Sequence, residues 1–307
     1  MKTISGRDVS RFSFGAMQFG AKASEADSAA MYADCRAAGI NFFDTAWAYT
    51  EGRSEEILGQ LVASERDDVF VATKAGNSRV ATPEKLEEEF AESRRRLGLD
   101  VVDLFYIHQF DPVTPLEVSL GKVGEFVARG ATRYVGLSNF AAWQVMKARG
   151  IARDLGFDIH VLQPMYNLVK RQAEVEILPM ARSEDLAVCP YSPLGGGLLT
   201  GKYVAGGEGR LKDDPKYDAR YAPAWMRAAA AELPGIAAEA GVHPATLAVA
   251  WVARNPAVWG PIISARSSAQ LAPSLAAVDF AMDDALYTRL SALVPAPPPA
   301  TDRLEEA

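Results

Sequence analysis

The chain has 307 residues, 49% of them hydrophobic and 23% charged, with a formal net charge of -7. This is enough apolar material for a large core, and the acidic balance excludes a general nucleic-acid or anionic-membrane surface, since both partners need a cationic field.

In chain order, the opening stretch MKTISGRDVSRFSFG alternates apolar and polar residues around Gly6 and Arg7. That pattern predicts a hairpin and not the continuous apolar region of a signal peptide. No stretch of about 18 uninterrupted apolar residues follows, so the expected location is cytoplasmic, away from any membrane. Short β-rich runs then alternate with helical segments. They predict strands at Phe12–Met17, Ile40–Asp44, Val69–Lys74, Leu104–His108, Thr132–Leu137, His160–Met165, Ala187–Tyr191 and Trp259–Ile263. Between them, Pro83–Gly98 and Ala141–Gly156 carry apolar residues at helical spacing and close on glycine, the first with Thr82 as cap and Pro83 in its first turn. Arg94, Arg95 and Arg96 read as a solvated helix end.

Cys35, on a helix, and Cys189, in a strand, form no CxxC or metal-ligand spacing and read as reduced thiols, so neither a disulfide nor a metal is expected. The segment Leu194–Trp225, rich in Gly, Lys, Asp and Tyr, has the length of a lid or binding loop. From Pro295 to residue 307 the proline-rich tail is expected to lie extended on one domain spanning 1–307.

Eight strand and helix units point to a closed parallel (β/α)8 TIM barrel with an N-terminal β-hairpin and a long loop after strand seven; a doubly wound open sheet is the alternative. The first strand leads into FSFGAMQFGAKAS, without the GxGxxG fingerprint of the dinucleotide-binding open sheet.

In a barrel the carboxyl ends of strands build the active site. Asp44, Lys74 and His108 end three consecutive strands, and Tyr49 follows the first of them. A phenol with an ordinary pKa near 10 needs a neighbouring cation to act as a proton donor with an accessible phenolate. Lys74 is that cation, Asp44 can hold it charged, and His108 can hydrogen-bond the oxygen that receives the proton. Taken singly, each residue has an ordinary structural use, such as a cap, a packed ring, a solvated ammonium or a core imidazole. Lys74 as a Schiff-base nucleophile is disfavoured, because the neighbouring carboxylate raises its pKa. His160 and His243 read as structural.

The stretch NFFDTAWAYTEGRSEEILG, followed by VATKAG, DLFYIHQFDP, YVGLSNF, QPMYN and YSPLGGGLLTGKY, resembles the aldo-keto reductase family along nearly the whole chain. The resemblance implies NADPH-dependent reduction of a small-molecule carbonyl, with NADH less favoured; nothing in the sequence demands more than a monomer, and an oligomer stays open. It makes Tyr49 the general acid, tuned by Lys74 and Asp44, with His108 orienting the carbonyl. It implies that Ser138, Asn139 and Gln163 hydrogen-bond the nicotinamide carboxamide, on which Tyr191 stacks. The run Ser192, Pro193, Leu194, Gly196 and Leu198 offers close backbone approach to a pyrophosphate, beside Lys202.

PIISARSSAQLAPS resembles the family's adenosine-phosphate segment, in which Arg266 suits a 2′-phosphate and Gln270 the adenosine. Ala265 stands where the family usually has Gly, Ser274 where it has Asn, and Thr50 where it often has Gly. Substrate walls are expected from Met17, Gln18, Trp47, Tyr49, His108, Gln109 and Phe110. A cofactor-bound regulatory or sensor subunit is the alternative function.

Overall fold

The computed structural model describes residues 1–204, 206–303 and 305. Eight parallel strands follow one another: β1 Ser13–Gly15, β2 Phe42–Asp44, β3 Phe70–Ala75, β4 Val102–Ile107, β5 Thr132–Ser138, β6 Val161–Gln163, β7 Ala187–Val188 and β8 Ile262–Ile263. Their lateral order runs β7-β6-β5-β4-β3-β2-β1-β8. The two ends meet where Trp259 N donates to Val188 O at 2.8 Å and Ile262 N to Pro190 O at 2.9 Å, which closes the barrel. The parallel (β/α)8 arrangement expected from the spacing is therefore present.

Around it lie α1 Glu25–Ala37, α2 Arg53–Val62, α3 Pro83–Leu97, α4 Leu116–Ala128, α5 Ala142–Asp154 and α6 Ile177–Ser183. After β7 come α7 Arg210–Asp213, α8 Pro215–Arg220, α9 Ala224–Glu239 and α10 Pro244–Arg254, and after β8 come α11 Ser268–Leu275 and α12 Asp284–Ser291. Thr82 caps α3 by accepting from Lys85 N, and Gly98, left-handed at φ 64°, closes it. No single helix among the described residues is long and apolar enough to cross a membrane.

Strand ends are where reading and structure part. β7 and β8 are shorter than the apolar runs suggest, because Pro190 and Pro261 have no N–H to donate to a ladder. β4 starts earlier, at Val102, whose N–H bonds Ala131 O. The hairpin at Gly6 and Arg7 is reduced to one antiparallel bridge, Lys2 with Asp8. Residues 295–299 have no regular structure and Asp302 N turns back to Pro299 O; Leu304, Glu306 and Ala307 of the expected tail lie outside the described residues.

The period of two along each strand sorts side chains into two cores. Phe43, Val71, Phe105, Val135, Leu162 and Val188 point outward to the helices. Phe42, Phe70, Ala72, Leu104, Tyr106, Val161, Cys189 and Ile262 fill the barrel, floored by Val9. The inward parity then continues to Asp44, Lys74, His108, Ser138, Gln163 and Tyr191 at the upper rim. Cys35 and Cys189 are free and buried.

Tyr106 shapes the inner packing. It pairs in register with Gly136, where an added Cβ would lie 2.4 Å from the Tyr106 ring and 2.9 Å from Val161 O. Gly136→Ala should therefore lower stability by about 1–3 kcal/mol, seen as a lower urea midpoint. Adding Tyr106→Leu should recover part of it, and an unchanged midpoint for the single variant would contradict this packing.

Candidate active site

Asp44 ends β2 and is 2% exposed, while Lys74, near the end of β3, is fully buried. The Lys74 ammonium donates to Asp44 Oδ1 and, at 2.7 Å, to Thr45 O. The other Asp44 oxygen accepts from Gln163 Nε2 at 2.8 Å. Burial would depress Lys74, but the charges of Asp44 and Tyr49 outweigh it and hold the ammonium above its ordinary value. Burial pushes the Asp44 carboxyl up, against the opposing pull of Lys74. The ammonium keeps its proton.

Tyr49 begins a short turn after β2 and is half-buried, its ring centroid 5.1 Å from Lys74 Nζ. The His108 ring stands edge-on to it at 5.9 Å and 83°. Burial raises the Tyr49 phenol, and Lys74 offsets this only in part, so the net direction is upward. This differs from an expectation built on the cation alone. Desolvation wins, and the phenol stands protonated with a cation placed to receive the charge that its proton leaves behind. His108 is pushed down to about 3 by burial and then by Lys74, so the imidazole is neutral. Its Nδ1 has no hydrogen-bond partner among the described residues.

The turn carrying Tyr49 is held in an uncommon conformation, with Thr50 at φ 48° and Glu51 at φ 54°. A β-branched residue in the left-handed region is strained. The Thr50 hydroxyl offsets the strain locally, donating to Phe19 O at 2.9 Å and accepting from Ser54 N in the first turn of α2 at 2.8 Å, which ties the turn to the loop after β1.

The four residues border a cleft of 650 Å³ over the barrel's upper end, which Asp44, Tyr49 and His108 line directly and Lys74 supports from beneath. Ser138, Asn139, Gln163 and Tyr191 form its next wall. They are already linked: Tyr191 Oη donates to Asn139 Oδ1 at 2.7 Å, Asn139 Nδ2 to Ser138 Oγ at 3.1 Å, and Ser138 Oγ to Gln163 O at 3.0 Å. Ser192, Pro193, Leu194, Gly196 and Lys202 continue the lining, and Ala265, Arg266 and Gln270 close the far end. Met17, Gln18 and Gln109 also line it.

Four expected contacts lie off the cleft. Trp47 is drawn toward α3, with Lys85 Nζ 5.3 Å and the Arg96 guanidinium 5.7 Å from its ring centroid. Leu198 is packed in the outer core, and Ser274 is buried on α11 with its hydroxyl unpartnered among the described residues. Phe110 does not line the cleft either, and packs edge-on against Phe140 and Trp143.

The lining also holds residues that no sequence motif marks. Arg210, Tyr217 and Arg220 sit in the long loop, where nothing in the pattern marks them as facing inward. His243 caps α10 by accepting from Ala245 N at 3.0 Å, as its place before Pro244 suggests, yet it faces the cleft as well.

The cleft fits a dinucleotide. Ser192, Gly195, Gly196 and Gly197 are all left-handed, so the backbone turns tightly and stays bare; a Cβ on Gly196 would meet the Tyr217 ring at 2.7 Å. Lys202 is pushed below its ordinary value by burial and then by the like charges of Arg266 and Arg210, a crowding that an anion relieves. None of these three cations has a carboxylate within 4.0 Å among the described residues.

The model of the aldo/keto reductase family matches residues 11–295. A probable voltage-gated potassium channel subunit beta of Oryza sativa subsp. japonica is 32% identical over 320 residues, 97% of each chain. The uncharacterized oxidoreductase YrpG of Bacillus subtilis (strain 168) is 31% identical over 312 residues, 95% of this chain and 94% of its own. The aflatoxin B1 aldehyde reductase member 2 of Rattus norvegicus is 37% identical over 195 residues, 62% of this chain and 53% of its own.

Proposed function

The chain belongs to the aldo/keto reductase family, and on that footing we propose that it reduces an aldehyde or ketone to the alcohol, with NADPH preferred to NADH. The observation that carries the reading is the protonated phenol of Tyr49 standing over the buried Lys74 and Asp44 pair, beside a neutral His108.

When bound, the nicotinamide cofactor supplies the hydride. Tyr49 gives its proton to the carbonyl oxygen as charge develops there, and the Lys74 ammonium stabilises the phenolate left behind. His108, uncharged, accepts or donates a hydrogen bond without adding a competing charge, and so fixes the oxygen near Tyr49. Asp44 keeps Lys74 charged and in place through the shared hydrogen bond. Ser138, Asn139 and Gln163 present amide and hydroxyl partners to the carboxamide, and the Tyr191 ring offers a flat wall to one face of the ring system. Arg266 and Lys202 are the cations proposed for the phosphates, and a guanidinium suits a 2′-phosphate, which supports NADPH.

The test is NADPH consumption with a panel of aldehydes such as nitrobenzaldehyde, run in parallel with NADH. Turnover with NADPH should exceed that with NADH, and equal rates would remove the coenzyme preference. The pH profile checks the assignment of the acid. The acid form of Tyr49 persists below its raised pKa and His108 stays neutral above about 3. Reduction should therefore be level from about pH 5 to about pH 9 and fall only at more alkaline pH. An acidic limb near the ordinary histidine value would assign the proton to His108 instead. Some relatives are named as channel subunits; a regulatory role for this chain predicts tight NADPH binding with negligible turnover in the same assay.

A further inference from the structure

The turn that carries Tyr49 is an uncommon piece of backbone. Thr50, Glu51 and Gly52 are left-handed in succession, at φ 48°, 54° and 95°. Such a run, with two members that are not glycine, persists only where its surroundings hold it. The Thr50 hydroxyl supplies one tie, to Phe19 and Ser54. The other comes from α3. Among the three arginines that read as a solvated helix end, Arg95 fits that reading, its side chain 67% exposed and paired with Glu92. Arg96 does not: its side chain is 14% exposed and packs against the turn.

At the start of the turn, Arg96 Nη1 donates to Trp47 O at 3.1 Å, and the guanidinium lies 5.7 Å from the centroid of the Trp47 ring. At its end, the same guanidinium lies on the bare face of Gly52, where an added Cβ would come within 2.5 Å of Arg96 Cζ. Trp47 and Gly52 bracket Tyr49, so one side chain holds both ends of the segment that presents the phenol. The hold also reaches the strand of Lys74. Trp47 N donates to Lys74 O at 3.0 Å, which pins residue 47 by its amide to β3 and by its carbonyl to Arg96. Arg96 is itself set by two carboxylates, with Glu92 Oε1 3.0 Å from Nε and the buried Glu55 Oε2 3.4 Å from Nη1. The other oxygen of Glu55 accepts from Thr73 Oγ1 at 2.6 Å, one residue before Lys74. A rigid fork of donors suits this shared task.

We propose that Arg96 is a positioning residue for the reaction, clamping residues 47–52 so that the phenol of Tyr49 stays in reach of Lys74 and His108. The inference rests on the reductase reading above. Arg96 does not line the cleft, so its influence on the rate passes through the turn and not through contact with substrate or cofactor. Without the clamp, the left-handed run relaxes and carries the hydroxyl away from the place where the carbonyl oxygen needs its proton.

The experiment counts turnover of nitrobenzaldehyde per NADPH site, titrated by fluorescence, so that unfolded protein does not enter the rate. Arg96→Met should lower kcat about 10–100-fold, the scale of a reacting group misplaced by about 1 Å, with the aldehyde KM and the NADPH affinity within about threefold of wild type. Arg95→Met, the same loss of charge one residue away, should leave all three unchanged. Arg96→Met also strips the buried Glu55 carboxylate of its cation and should lower the urea midpoint. The double variant Glu55→Gln with Arg96→Met should recover the midpoint and not the rate. Amide exchange supplies a readout without turnover: in the double variant, residues 47–54 should exchange about tenfold faster or more, while β4 exchanges as in wild type. A kcat per site within about threefold of wild type in Arg96→Met, a rate restored along with stability in the double variant, or unaltered exchange over residues 47–54 overturns the proposal. A wild-type protein that consumes no NADPH with any aldehyde would instead sink the reductase reading, and the exchange comparison would still decide whether Arg96 holds the turn.

Discussion

Tyr49→Phe should lower turnover by about 10²–10⁴-fold, the range contributed by a positioned proton donor, and leave NADPH binding within about threefold of wild type, a difference well under one kcal/mol. The substitution keeps the ring that packs edge-on to His108 and covers the Lys74 ammonium. It removes only the hydroxyl, so the turn from Tyr49 to Gly52 should stand as before. Stopped-flow absorbance reads the reduction step, and quenching of protein fluorescence reads NADPH binding. A variant retaining more than about a tenth of wild-type turnover would place the acid elsewhere. A variant that loses both turnover and NADPH binding would mean that the phenol supports the cleft and not the proton.

Lys74→Met should have a second large effect, on stability as much as on rate. The ammonium is fully buried and donates to Asp44 and to Thr45 O. Without it, Asp44 keeps only the amide of Gln163 as a donor in a buried setting. Breaking a buried pair from one side costs about 3–5 kcal/mol, because the remaining charge is uncompensated. The carboxyl, which burial already pushes upward, should rise further in the variant. A group whose folded-state pKa lies above its unfolded value stabilises the fold below the unfolded value and loses that contribution as pH rises. The variant's deficit should therefore be smallest near about pH 4 and grow toward neutrality. Urea midpoints at the two pH values measure it. The double variant Asp44→Asn with Lys74→Met should regain much of the stability and none of the turnover. A single variant as stable as wild type at neutral pH would mean that the pair is uncharged.

The rim residues were legible because two independent regularities agree on them. The strand period puts Asp44, Lys74, His108, Ser138, Gln163 and Tyr191 on the inward face, and each lies at the carboxyl end of its run. At Pro190 and Pro261 the apolar run continues past a residue that cannot donate, so composition alone overstates those strands. Trp47 is equally apolar in either direction, and only the cations of α3 decide which way it turns. Arg210, Tyr217 and Arg220 sit on α7 and α8, helices too short to show a period in the sequence, so their approach to the cleft depends on tertiary contacts such as the bare face of Gly196. Thr50 stood out as a departure from the family pattern, and its left-handed backbone supplies the physical reason that a glycine is common there.

The junction of β7 and β8 has a consequence for how the protein responds to its cofactor. The barrel's ladders shorten from that between β4 and β5 to the two-residue pairings of β1 with β8 and of β6 with β7, and between these short ladders the seam rests on a few N–H groups from Trp259 to Ile262 reaching Val188 and Pro190. Local opening begins where backbone bonds are fewest. The segments leaving the seam, Tyr191–Leu194 on one side and Ala265–Gln270 on the other, are those proposed to grip opposite ends of one dinucleotide. Its binding would then act as a stitch across a short join, and the slowing of amide exchange on saturation should be greatest at Val188, Trp259 and Ile262 rather than beneath the catalytic residues.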